Sequence, residues 1–230
     1  MKSCVIIFVL LTSTLVSIAQ RVCMVQGQIV GLNTSMVYLY KTGLFSQGPQ
    51  LVDSTRLSGQ FFYFKRLIDE PGAYFMSIDE AIGQFHFVWD KNLFVLLDAD
   101  DLNQSLIEES PVNQAIKTFS DTTAKNYEQR MELVRQTIAQ AQQANDTSKI
   151  RQDYEAYYSL FNSYKNMVSS FIELHKHEWS GLFILSSYHK DLGRQLTLDL
   201  LTVLDPIFQK SQVATQLKTM VSDSTYLIRP

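Results

Sequence analysis

Cysteine is nearly absent from this chain, and that absence bears on the chemistry first. Only Cys4 and Cys23 occur in 230 residues. Dithiol redox catalysis needs a thiolate of lowered pKa beside a resolving thiol, normally as Cys-x-x-Cys. No such pair exists in this chain, so by itself it is not expected to carry out that reaction. Basic charge is scarce as well. A formal net charge of −3 offers no positive field for phosphate backbones, which makes nucleic acid an unexpected partner. Gly27 and Gly31 lack the further glycine and the following helix that a dinucleotide loop requires. Long apolar runs are confined to residues 5–16, a stretch too short to span a membrane comfortably. With 46% hydrophobic and 19% charged residues, the chain has the composition of a globular protein and the length for a sizeable core.

The N-terminus reads as an export signal. Lys2 supplies the positive start, residues 5–16 the apolar stretch, and Ser17-Ile18-Ala19 small residues at −3 and −1. Cleavage is expected after Ala19, leaving a mature chain from Gln20 that is not transmembrane. Cys4 leaves with residues 1–19, and Cys23 remains as the single thiol. Gln20-Arg21-Val22 precede it where lipidation needs a small residue, so no lipid anchor is expected. One thiol cannot close an internal disulfide. Cys23, ahead of the sheet, is expected to be a half-buried strand residue, with an intermolecular disulfide as the alternative.

Short strands follow in series: residues 24–31, 36–41, a hairpin over 51–64, then 73–79, 84–89 and 93–98. The hairpin turns at Ser58-Gly59, residues 43–50 form a loop, and Pro71-Gly72 makes a further turn. In residues 61–64, Phe61 and Tyr63 share one face while Phe62 and Phe64 share the other. Aromatics on both faces predict that both are covered. Seven such strands predict an antiparallel β-sandwich or open barrel over residues 20–109.

The period changes at Ser110-Pro111, a serine cap followed by proline at the first helical position. Tyr127, Met131, Val134, Ile138 and Ala141 recur at steps of four and three. Asn145 to Ser148 interrupt the stripe, and Ile150, Tyr154, Tyr157, Phe161, Tyr164, Val168 and Phe171 resume it. An antiparallel helix pair is therefore expected, with the tyrosines in the seam and their hydroxyls reaching water. Shorter helices are expected over 180–188, 196–204 and 211–221, with a break at Asp205-Pro206 and a frayed tail over 222–230. The fold class is thus α+β, an antiparallel β domain followed by a helical domain over 110–230.

Several short motifs resemble a known family. Gly27-x-Ile29-x-Gly31, Val37-x-Leu39, Asp53-Ser54 and Gly59-x-Phe61-x-Tyr63 are similar to a bacterial domain of unknown function. That domain precedes the thioredoxin domain in exported thiol-disulfide oxidoreductases of the peroxiredoxin-like and ResA/TlpA-like type, common in the Bacteroidota. Glu109-Ser110-Pro111-Val112-Asn113 looks like its Gly-Ser-x-x-Asn opening of the helices. Phe171-Ile172 with Ser180, and residues 200–217, resemble its later helices, so the likeness covers about residues 25–220. The chain departs from the family at His177-Glu178-Trp179, where a proline often precedes the serine. The family's thioredoxin domain has no counterpart among these 230 residues.

Other constellations fall short of a site. His175, His177 and His189 with Glu178 suggest zinc, but residues two apart on a helix face different ways. For His175 and His177, a pair of surface histidines at a helix C-terminus is the expectation. Asp98, Asp100, Asp101 and Glu109 suggest a calcium loop, yet Leu102 occupies a ligand position and Asn103 stands where glycine is wanted. Ser186, His189 and Asp191 hold triad atoms without a Gly-x-Ser-x-Gly elbow. Asn33, Asn103 and Asn145 begin glycosylation patterns that matter only in a eukaryotic secretory route. No catalytic, cofactor-binding or metal-binding residue and no cofactor is expected.

These readings predict a non-catalytic, exported protein of the periplasm or cell envelope. It would bind or scaffold an envelope partner, docked against the sheet or the helix seam. Two alternatives are a subunit whose thioredoxin-like domain is separately encoded, and a carrier of a small molecule or glycan, with tyrosines available for stacking.

Overall fold

The computed structural model describes residues 21–42 and 48–223. The proposed signal and its cleavage site, most of the 43–50 loop and residues 224–230 of the tail lie outside the described residues. Strands run β1 (Arg21–Val30), β2 (Met36–Lys41), β3 (Gln50–Arg56), β4 (Phe61–Ile68), β5 (Gly72–Ile78), β6 (Phe85–Trp89), β7 (Leu93–Asp98) and β8 (Leu106–Glu108). Helices follow as α1 (Pro111–Thr118), α2 (Lys125–Gln143), α3 (Thr147–Leu174), α4 (Trp179–Leu192), α5 (Arg194–Val203), α6 (Pro206–Gln209) and α7 (Gln212–Ser222). The fold is α+β, a two-sheet sandwich followed by helices.

One sheet has the order β4-β1-β7-β8 and the other β3-β2-β5-β6. Alternation along each strand sends one set of side chains inward. Val25, Ile29, Phe64, Val95 and Leu97 of the first sheet meet Val37, Leu39, Met76, Phe87 and Trp89 of the second in one buried cluster. The strands were expected to pair antiparallel throughout, but β1 and β7 run parallel. A parallel pair needs a long crossover, and here the whole second sheet lies within the connection from β1 to β7.

The expected hairpin is a corner instead. Ser58 and Phe61 exchange backbone hydrogen bonds at 2.9 and 3.3 Å around Gly59, whose φ of 63° suits the turn. The strands on either side then part company, β3 pairing with β2 and β4 with β1. Turn residues mark a reversal of the chain but cannot say which sheet receives the returning strand. The expectation that both faces of β4 are covered also fails. Phe62 and Phe64 are buried, whereas Phe61 is 56% and Tyr63 65% exposed.

The reason lies in where the helices dock, which is against β5 and β6 of the other sheet. Val88 and Ala73 join the helical core formed by Val168 and Ile172 of α3, Leu182 and Leu185 of α4, and Leu217 and Val221 of α7. Two polar ties accompany this packing. Asn113 of α1 bonds both backbone groups of Val88, and the Glu70 carboxylate accepts from the Gln212 amide at the start of α7, 2.9 Å away. A carboxylate there meets the positive end of the helix dipole.

The helix starts follow the residues that mark them. Ser110 Oγ caps α1 by accepting from Asn113 N. The chain then passes through a π-helical turn (Phe119–Ala124) into α2. Asn145 adopts φ 55°, Asp146 caps α3 through Lys149 N at 3.0 Å, and α2 and α3 pack as the expected antiparallel pair.

Candidate functional site

The structure separates the histidines that the sequence groups. His175 ends α3, its ring 4.2 Å from Phe171 and its Nδ1 2.8 Å from Glu178 Oε2. That hydrogen bond holds the Glu178 carboxyl below its ordinary range against a smaller opposing effect of burial. His177 Nδ1 lies 2.8 Å from Asp205 Oδ2 instead. His189 is buried in α4 with Nδ1 2.7 Å from the Ser186 carbonyl oxygen. The Ser186 backbone is one partner of this imidazole, and the charge of Asp191 acts on both His189 and Tyr164. Among the described residues, no three His, Cys, Asp or Glu are placed to hold a metal ion.

Burial depresses the His189 pKa below 6.5, outweighing the Ser186 hydrogen bond, which opposes the shift. The fold thus holds the imidazole neutral. Its contribution to stability is fully present above about 6.5 and is lost as pH falls through the lower folded value. Thermal unfolding at pH 7.5 and 5.5 should show a lower Tm at the acidic pH, and a shallower slope in His189→Gln. An equal slope in both proteins would contradict the assignment.

The aspartates form a local turn. Asp98 Oδ1 accepts from Asp100 N, and Asp101 Oδ1 accepts from Asn103 N and Nδ2 at 3.0 and 2.9 Å. Leu102 is fully buried between them, so its place in the chain serves the core. Cys23 stands inside β1 rather than ahead of the sheet and is 5% exposed, more deeply buried than expected. Burial pushes its thiol pKa up, which keeps it protonated and unreactive.

The arrangement best suited to binding is the α2–α3 hairpin. At about 1.5 Å per residue α3 is roughly 42 Å long. Its C-terminal half packs into the helical core through Tyr164, Val168 and Ile172. Toward the Asn145 turn, Ile138 and Ala141 are buried yet belong to neither core cluster, so that end of the hairpin packs as an arm. The heptad reading slips there. Asp153 takes the seam position, its Oδ1 2.6 Å from Lys149 Nζ, while Tyr154 turns outward at 40% exposure. Polar character at Asp153 hid this from a stripe drawn through apolar residues.

Aromatic and cationic groups are interleaved along the whole hairpin, from its core-packed stretch toward the Asn145 turn. Tyr154 stacks on Tyr158, which is 59% exposed, and Tyr157 stacks on Phe161 with 8° between their planes. Arg130 lies over Tyr127, Arg135 over Tyr157 and Lys165 over Phe161, at 5.5, 5.6 and 4.8 Å. Tyr164 departs from the expectation of hydroxyls in water. It is 2% exposed, and burial, with Tyr188 and Asp191 beside it, pushes its pKa far up. An open groove of about 280 Å³ on the arm's flank is lined by Tyr127, Arg130, Ala156, Ser159, Leu160 and Ser163. Among the described residues, no helix is long and apolar enough to cross a membrane.

No family model matches this chain, and no curated protein matches it. Among solved structures, a chain named pT26-6p is similar at 13% identity, over 87% of this chain and 43% of that one. This chain therefore spans less than half its length. The TM-score is 0.17, a likeness that carries no argument about fold or function.

Proposed function

We propose that this protein is an exported binding or scaffolding protein of the cell envelope whose α2–α3 arm holds a protein partner. The carrying observation is the arm itself, with Tyr158 and Leu133 left 59% and 62% exposed beside arginines stacked on tyrosines. Tyrosine and arginine dominate the energetics of protein interfaces, because each brings apolar area and a directed polar group. A helix pair stiffened by its own seam presents these groups with little ordering cost on binding. The export reading is supported by the residue pattern of positions 1–19, and the envelope setting by the resemblance to accessory domains of exported oxidoreductases.

The test places a photo-crosslinking amino acid at position 158 or 133 in the native envelope, with exposed position 219 on α7 as control. Covalent protein adducts are expected from both arm positions and not from the control. A thioredoxin-like protein in the adduct would identify the chain as an oxidoreductase subunit. No adduct from the arm, or equal adducts from position 219, would overturn the proposal.

A further inference from the structure

The outer face of the first sheet carries apolar side chains that none of the described helices covers. Register aligns them in rows across the four strands. One row runs Phe61, Gln28, Leu96, Leu106, and the next runs Tyr63, Gln26, Phe94, Glu108. Lys65 lies opposite Met24 one step further along, and Val22 opposite Leu67 beyond it. Phe61, Tyr63, Leu67, Leu106, Val22 and Val30 are each 53–65% exposed.

We propose that this face is a homodimer interface, occupied by the same face of a second copy of this chain. Area supports this choice of occupant. Half-exposed side chains of this size leave on the order of 100 Å² each, so two copies would bury about 1,200 Å² from these six alone. That reaches the lower end of stable, specific interfaces before the half-buried Met24, Phe94 and Leu96 are added.

Charge selects the symmetry. Lys65 lies on β4 at one edge of the face and Glu108 on β8 at the other. A two-fold axis parallel to the strands, between β1 and β7, lays β4 of one copy over β8 of its partner. Each Lys65 then approaches a Glu108 one row away, twice per dimer, and Phe61 falls over Leu106. A two-fold running across the strands would stack each edge on itself and set the glutamates together on one side. Asp98 ends the face in the row of Val30, where the same axis lays it over the partner's Val30 at the rim, its Oδ1 accepting from Asp100 N. Isologous packing of this kind is self-complementary by construction, and two faces of twisted sheet stack at about −30° in the same manner as the two sheets within the chain.

Sedimentation equilibrium of the purified chain tests the interface without touching the arm. Wild type is expected to be dimeric at micromolar concentration, and Phe61→Ser to be monomeric there. Lys65→Glu and Glu108→Lys should each weaken the dimer about tenfold, since two surface pairs become repulsive at once. The combined Lys65→Glu/Glu108→Lys chain should recover to within about threefold of wild type, which mere loss of fold cannot do. A monomer at every concentration would overturn the proposal, as would a dimer indifferent to Phe61→Ser and to the charge reversals. Leu133→Glu and Tyr158→Glu on the arm should leave the dimer unchanged, so this result and the partner test fail independently.

Discussion

Asn113→Ala is expected to lower the unfolding free energy by about 3–4 kcal/mol, from two buried backbone groups left without partners at about 1–3 kcal/mol each. The side-chain amide occupies the place of a neighbouring strand. Its Oδ1 accepts from Val88 N at 2.7 Å, and its Nδ2 donates to Val88 O at 2.8 Å and to Ser110 Oγ at 2.7 Å. Because β6 lies at the edge of its sheet, no further strand among the described residues meets these backbone groups. Alanine empties the position where water has little access, since Asn113 is only 8% exposed. Asn113→Asp keeps an acceptor for Val88 N but sets its second carboxylate oxygen against the Val88 carbonyl oxygen in a buried place, so at neutral pH it should not recover the loss. Urea denaturation reads both, with exposed Gln114→Ala as a control expected to change stability by less than about 0.5 kcal/mol. A loss below about 1 kcal/mol for Asn113→Ala would show that the tie between helix and sheet matters little.

The second large effect is expected at Gly27, in the middle of β1. A Cβ there would lie 2.5 Å from Val95 Cγ2, 2.7 Å from Val95 O and 2.8 Å from Phe62 Cζ. The strands on both sides are already hydrogen-bonded at fixed register, and a carbonyl oxygen cannot swing aside as a side chain can. Gly27→Ala should therefore cost about 2–3 kcal/mol by overpacking, and Gly27→Val more. Removing the methyl contact with Val95→Ala in the same chain should not restore stability, because the carbonyl clash remains. Gly48→Ala, with open space around its position, should be close to neutral. Guanidinium unfolding compares the set, and a Gly27→Ala chain as stable as the Gly48 control would refute the close approach.

Both positions were visible in the sequence, but for different physical reasons and only in part. A glycine inside a strand, as at Gly27, marks either a bend or a close backbone approach. The identity of the approaching group depended on β7 coming back parallel, which no local pattern encodes. Ser110-Pro111 announced a helix start because capping is local chemistry, whereas the partner of Asn113, Val88, is 25 residues distant and reached only by tertiary packing. Likewise, alternation separated Phe61 and Tyr63 from Phe62 and Phe64, yet which face met the core depended on which sheet the helices chose. The histidines were close in sequence and were expected to diverge. Their partners, Glu178, Asp205 and the Ser186 carbonyl, were set by where α3 ends and where α5 turns into α6. The arm was legible as a helix pair from its heptads, and its tip was misread by one position because Asp153, paired with Lys149, holds a seam site that an apolar stripe passes over.

Native mass spectrometry of the protein drawn gently from the envelope fraction tests the central claim most directly. The measurement compares wild type with a Leu133→Glu/Tyr158→Glu chain. The expected result is a protein-sized increment on wild type, beyond whole multiples of its own mass, that is lost from the arm variant. Wild type seen only at multiples of its own mass would contradict a partner-binding arm. So would an increment on the order of a few hundred daltons retained by the variant, which would point to a carried small molecule.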